Sequence, residues 1–288
     1  MKGAGWRERG LVFACGGHRL VGVATLPEAH DGTAVLILVG GPQYRVGSHR
    51  QFTLLARDLA EQAIPSLRFD YSGMGDSEGE QREFSDVEED IACAIDALMG
   101  EDPTIKRIVL WGLCDAASAA MMYAHRHTAI CSMVLLNPWV HGVEYSPQVK
   151  LSHYYRSLAT GSSGWRRLLS GKVNVAASIK EFLLSSVRTI AGSVGLRSGA
   201  GSRHSFVDRM LNGFSQYDRS ALIVLSENDL TAKEFATLAE TDRAWRRLLA
   251  RPGIESQMVA DADHTFSGKQ WRGVVSSMTC EWVKGVIE

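Results

Sequence analysis

The chain has 288 residues, with 31 Lys and Arg against 32 Asp and Glu, a formal net charge of −1 at pH 7. Hydrophobic residues make up 45% and charged residues 22%, which excludes wholesale disorder and, with no basic excess, argues against a whole-surface nucleic-acid binder. No apolar run reaches the roughly 18–20 residues of a membrane span, and residues 1–10 lack the apolar core of a secretory signal, so the expected compartment is the cytoplasm.

Short apolar runs alternate with amphipathic stretches. Residues 11–15 and 18–26 flank Gly16-Gly17 and predict a hairpin. Residues 34–40 (AVLILVG) predict a strand buried on both faces. Over 49–63, Phe52, Leu55, Ala56, Leu59 and Ala63 share one helical face. Residues 64–70 predict a strand, and Ser85-Asp86-Val87-Glu88 a capping box opening a helix to Leu98. A strand at 107–113, a helix at 115–126 and a strand at 130–137 follow. The alternation then stops over 138–218 and resumes with a strand at 220–226, a helix at 231–250, a strand at 255–260 and a helix at 271–286. This order predicts an α/β fold: one mostly parallel sheet with helices on both faces, after an antiparallel start. The interruption reads as a cap or lid, residues 141–218, inserted into a single domain spanning 1–288.

The five cysteines, at 15, 93, 114, 131 and 280, are odd in number and form no C-x-x-C pair. That disfavours a disulfide framework or a zinc site and makes most of these thiols small buried hydrophobes. Cys114 is the exception. A buried strand runs into a helix through Gly112-Leu113-Cys114-Asp115-Ala116, the strand–turn–helix layout that holds a nucleophile on a tight turn. The residues two before and two after the nucleophile must be small, and Gly112 and Ala116 are. The helix N-terminus favours a thiolate and can hold an oxyanion.

A cysteine nucleophile needs a base and an orienting acid, and in this architecture the chain order is nucleophile, acid, histidine. Asp229 follows the strand at 220–226, with Glu227 and Asn228 as close neighbours and an N-cap role as the competing reading. His264 follows the strand at 255–260. Both fall at carboxyl ends of strands, the edge where open α/β sheets bind ligands. The oxyanion donors expected are the backbone N–H groups of Asp115 and Gly41, with Gln43 second to Gly41 because Pro42 has no N–H. The Asp115 side chain sets a negative charge beside the sulfur, which opposes thiolate formation unless it points away.

With these residues placed, the chain resembles the α/β-hydrolase superfamily over essentially its whole length. Residues 69–80 (FDYSGMGDSEGE) look like a loop common in that superfamily, in which the resemblance gives Asp70, Gly73, Gly75 and Ser77 a structural role. Residues 39–52, 67–80, 110–120 and 135–140 further resemble the hydrolase 1 family associated with the exosortase A system, found in bacteria beside exopolysaccharide and protein-sorting genes. The resemblance implies a hydrolase with a cysteine at the elbow. Acyl transfer from an ester or thioester to water or to a sugar hydroxyl is the chemistry expected, with a non-catalytic scaffold or a peptidase on the same fold as alternatives.

The interruption carries a charge signal. From His141 to Arg219 there are eleven Lys or Arg and four Asp or Glu. Such segregation can steer an anionic acyl substrate or a membrane surface; the plainer reading is a solvated basic lid. No nucleotide-binding glycine fingerprint and no metal-ligand cluster stands in the sequence, so neither a cofactor nor a metal is expected. The oligomeric state is not legible.

Overall fold

The computed structural model describes residues 5–41, 43–140 and 206–286. All belong to one unit, Met1–His141 with His204–Glu288. The expected cap lies outside the described residues as far as 205.

Eight strands form one sheet: β1 (Trp6–Cys15), β2 (His18–Pro27), β3 (Thr33–Leu38), β4 (Ser66–Phe69), β5 (Arg107–Leu113), β6 (Ile130–Leu136), β7 (Ser220–Ser226) and β8 (Ile254–Val259). Their spatial order is β1-β2-β4-β3-β5-β6-β7-β8. β2 runs antiparallel to β1 and to β4, and every later pair is parallel. The expected hairpin is therefore present and longer than its apolar core, because the polar residues of β1 extend it along an exposed edge. β3 is buried at every position, as its unbroken apolar run requires.

The helices are α1 (Gln51–Glu61), α2 (Glu88–Glu101), α3 (Asp115–Tyr123), α4 (Phe206–Gln216), α5 (Leu230–Thr241), α6 (Arg243–Leu249) and α7 (Lys269–Gly285). Two expectations are corrected. The capping box at Ser85–Glu88 is not formed: α2 starts at Glu88 with no side-chain cap, behind a 3-10 turn over Phe84–Asp86. Its acidic first turn, Glu88, Glu89 and Asp90, complements the helix dipole instead. The single helix expected over 231–250 is two, because Asp242 leaves helical geometry and caps α6, its carboxylate accepting the N–H groups of Ala244 and Trp245. α4, inside the segment read as an insertion, packs on α3. A Cβ at Gly213 would collide with the Met121 and Met122 carbonyls, so glycine sets how closely these helices cross.

The loop over 69–80 is built around the buried Asp70 carboxylate. It accepts the Arg45 N–H at 2.6 Å and the Asp76 N–H at 3.0 Å, and it pairs with the Arg45 guanidinium. Ser77 Oγ donates to the Asp70 carbonyl at 2.7 Å and accepts the Val21 N–H at 2.9 Å. These bonds tie the end of β4 to β2 and to the segment after β3, and so fix the carboxyl edge of the sheet.

The expectation that most thiols stand alone is corrected in part. Cys15, at the end of β1, and Cys93, on α2, form a disulfide with their Cα atoms 5.7 Å apart, within ordinary bridging distance. The pairing is tertiary, across 78 residues, so spacing along the chain cannot reveal it. Cys114, Cys131 and Cys280 are free.

Candidate active site

The residues read as catalytic fall at the carboxyl ends of the parallel strands. Gly41 follows β3, Cys114 joins β5 to α3, Asp229 follows β7 and His264 follows β8.

Cys114 has φ 64° and ψ −124°, a conformation that costs an L-residue energy. The surroundings enforce it. The Cys114 N–H donates to the Leu136 carbonyl at 2.9 Å, and the Cys114 carbonyl accepts the N–H groups of Trp139 and Ser118, each at 3.2 Å. A Cβ at Gly112 would lie 2.7 Å from the Ala116 carbonyl carbon, which is why only glycine fits there. Ala116 itself is buried without conflict; position +2 tolerates a methyl group where position −2 does not.

His264 Nδ1 and Asp229 Oδ2 are 2.9 Å apart. Asp229 is buried and also caps α5, the same Oδ2 accepting the Ala232 N–H at 2.9 Å. The two readings of Asp229, helix cap and partner of the histidine, therefore coexist. Glu227 is turned elsewhere, its carboxylate accepting the Asp261 N–H at 2.9 Å.

One residue in this set escapes sequence reasoning: Asn137. It is fully buried at φ 44° immediately after β6. Its Oδ1 accepts the Ser226 N–H at 2.8 Å, and its Nδ2 donates to Ser226 Oγ at 2.9 Å and to the His264 carbonyl at 3.0 Å. Ser226 Oγ donates in turn to the Asp263 carbonyl at 2.9 Å. The amide thus clamps the histidine loop to the ends of β6 and β7. The signal was an asparagine at a strand end, a residue type that tolerates positive φ.

The expected oxyanion donors are engaged by the chain itself. Asp115 Oδ1 accepts the Gly41 N–H at 2.7 Å, so the carboxylate points toward the hole and not away from it. A Cβ at Gly40 would lie 2.7 Å from the same oxygen. The Gln43 N–H is spent on the Gly41 carbonyl at 2.8 Å.

This arrangement sets the charges. Burial pushes the Cys114 thiol well above the usual thiol range, and the Asp115 and Asp229 carboxylates push it further; only the Asp115 N–H pulls the other way. A neutral thiol is therefore the resting form. Burial raises the Asp115 carboxyl to about 6, against the N–H groups of Gly41, Ala116 and Asp115 itself and the charge of His264. The nearby Tyr71 hydroxyl is raised well above its usual value by burial, then by Asp115 and Asp90. It has no hydrogen-bond partner among the described residues.

The sheet order, the single reversed strand β2 and the tight turn at Cys114 define an α/β-hydrolase fold. Residues 33–181 match the family described as serine aminopeptidase, S33, and the chain belongs to that family. The family takes its name from serine; this chain carries cysteine at the elbow. Its fold is also that of the Pyrococcus furiosus esterase Pf2001, at 17% identity and TM-score 0.65, over 97% of this chain and 93% of that one. The α/β hydrolase GrgF from Penicillium sp. sh18 matches at 16% identity and TM-score 0.64, over 97% and 98%. Est1E from Butyrivibrio proteoclasticus, solved with ferulic acid bound, matches at 15% and 0.61, over 96% and 99%. No curated protein matches the chain by sequence. Among the described residues no group of three or more His, Cys, Asp or Glu side chains could hold a metal ion, and no helix is long and apolar enough to cross a membrane.

Proposed function

We propose that this protein is a cysteine-dependent acyl hydrolase acting on esters or thioesters through a thioacyl-enzyme. The observation that carries the reading is the strained Cys114 turn at the start of α3, on the same sheet edge as a hydrogen-bonded His264–Asp229 pair. Asp229 fixes the imidazole tautomer through Nδ1, leaving Nε2 to take the proton of the attacking thiol. Because the thiol rests neutral, deprotonation accompanies attack and no preformed ion pair is needed. The Asp115 N–H is one donor for the developing oxyanion; the second place, at the Gly41 N–H, is held by the Asp115 side chain in this structure. Water then releases the acyl group; a sugar hydroxyl in its place would make the protein an acyltransferase.

The likeness of residues 39–52, 67–80, 110–120 and 135–140 to the exosortase-associated hydrolases supports a role beside exopolysaccharide machinery. The basic excess between His141 and Arg219 favours an anionic acyl substrate or an anionic membrane surface. Two exposed large hydrophobics, Tyr44 and Leu230, border the loops of Gly41 and Asp229 and suit an apolar acyl chain. The cytoplasm is retained as the compartment, against one competing observation: the Cys15–Cys93 bond suits an oxidising one.

A second reading, a partner-binding scaffold without turnover, is favoured by the Asp115 carboxylate on the Gly41 N–H. Intact-mass spectrometry after exposure to aryl esters and acyl thioesters separates the two. The enzyme gives one acyl adduct on Cys114, absent from Cys114→Ala. A scaffold gives none, even where iodoacetamide shows the thiol to be accessible.

A further inference from the structure

A tetrahedral intermediate on Cys114 Sγ needs donors for its oxygen where the N–H groups of Gly41 and Asp115 converge. The Asp115 carboxylate already holds the Gly41 N–H, at 2.7 Å. A substrate carbonyl cannot share that place with a carboxylate: both are acceptors, and the developing oxyanion would face a negative charge in a partly buried site. The carboxylate is built into this place: a Cβ at position 40 would lie 2.7 Å from the same Oδ1, so the glycine there is what admits it.

We propose that Asp115 is a proton-gated member of the oxyanion hole. As a carboxylate it fills the hole and excludes the substrate carbonyl. As a carboxylic acid it keeps one oxygen on the Gly41 N–H and donates its O–H to the substrate oxygen. The inference rests on the reading of Cys114 as the nucleophile and adds a catalytic residue to it.

The step balances. The Sγ–C bond forms, the carbonyl π pair moves to oxygen, and the thiol proton passes to His264 Nε2. Asp115 shares its proton in a hydrogen bond and keeps it. On collapse the pair returns, the bond from carbon to the leaving oxygen or sulfur breaks, and the leaving group takes the proton from His264. A buried neutral carboxylic acid can serve as such a donor.

The groups that bear on Asp115 give its titration a usable position. Cys114 adjoins it on the turn, His264 faces it from the loop after β8, and Tyr71 from the loop after β4. Burial outweighs the favourable N–H groups and the histidine, and raises the carboxyl to about 6.

The test is the rate of Cys114 acylation by an aryl ester, read by intact mass from pH 4.5 to 8.5, in the wild type and in Asp115→Asn. A bare thiol acylates faster as pH rises. The gate reverses this: the wild-type rate falls about tenfold per unit above the Asp115 midpoint. In Asp115→Asn the amide oxygen accepts from Gly41 while its N–H₂ donates to the substrate at every pH. The fall then disappears, and at pH 8 the variant is the faster by about 100-fold. The same fall in Asp115→Asn, or a wild-type rate that goes on rising above the Asp115 midpoint, overturns the gate and leaves the cysteine reading intact. No acylation of Cys114 in either protein at any pH overturns both. An NMR titration of the wild type needs no variant to fold. The Gly41 amide shift is expected to move with the midpoint of the Asp115 carboxyl carbon, and a Gly41 amide indifferent to that midpoint overturns the gate.

Discussion

Asp229 holds His264 and the first turn of α5 through one oxygen, Oδ2, 2.9 Å from His264 Nδ1 and 2.9 Å from the Ala232 N–H. Asp229 is thus itself positioned by a helix N-terminus, whose free N–H groups and dipole favour its charge.

This double role makes two substitutions separable. Asp229→Asn keeps an oxygen for the cap, so the melting temperature is expected to stay within a degree or two of wild type. That one oxygen can still meet both N–H groups, but the carboxylate charge that stabilises the imidazolium is gone, and acylation of Cys114 is expected to fall by roughly 10³–10⁴. Asp229→Ala loses the cap as well and is expected to cost about 1 kcal/mol of stability. Urea denaturation together with ester turnover on both variants checks the split. Equal stability loss in the two would show that the charge, and not the cap, holds the helix end.

The elbow makes an asymmetric prediction about its two small residues. Gly112→Ala sets a methyl carbon 2.7 Å from the Ala116 carbonyl carbon. The backbone must shift to admit it, at an expected cost of about 1–3 kcal/mol, and the Cys114 turn shifts with it. Ala116→Gly creates no clash and costs about 1 kcal/mol through helix propensity. Stability curves for both, with the alkylation rate of Cys114, test this: the glycine variant is expected to keep the wild-type rate and the alanine variant to change it.

What the sequence made legible was local. The β3 and β5 runs, the elbow and the order Cys114, Asp229, His264 are patterns within short windows or along the chain, and the sheet topology turns that order into a shared edge. What it hid depends on contacts between distant residues. The Cys15–Cys93 bond, the clamp of Asn137 on the His264 loop and the docking of Gly213 on α3 each join segments 78 or more positions apart. The direction of the Asp115 side chain was open for the same reason, because only the folded position of Gly41 decides it. The capping box failed because the helix begins only at Glu88: Ser85 lies in the preceding 3-10 turn, and its Oγ donates to Asp86 Oδ2.

In the proposed mechanism Asn137 acts only through His264, and its variants test that. Asn137→Asp can still accept the Ser226 N–H but, ionised, cannot donate to the His264 carbonyl. Asn137→Ala loses both and leaves buried groups unpaired, at about 1–3 kcal/mol each. Both are expected to lower kcat while KM stays within about twofold, since the clamp holds the histidine loop and not the substrate. Steady-state kinetics on the best ester from the acylation panel measures this, and a rise in KM at constant kcat would place Asn137 in the binding surface instead.

The Cys15–Cys93 bond makes a prediction about the protein as isolated. Purified without reductant and unfolded in guanidinium, the chain is expected to show three titratable thiols, Cys114, Cys131 and Cys280, and five after reduction. The bond ties the outer hairpin to α2 and restricts the unfolded chain over a long loop, so Cys93→Ser is expected to lose about 2–4 kcal/mol. The site residues lie elsewhere on the chain, so acylation of Cys114 in the folded variant should keep its wild-type rate and pH profile. Non-reducing peptide mapping gives the pairing directly. Five free thiols before reduction would mean that Cys15 and the half-buried Cys93 are unbonded neighbours, and the stability of Cys93→Ser would then match that of the wild type.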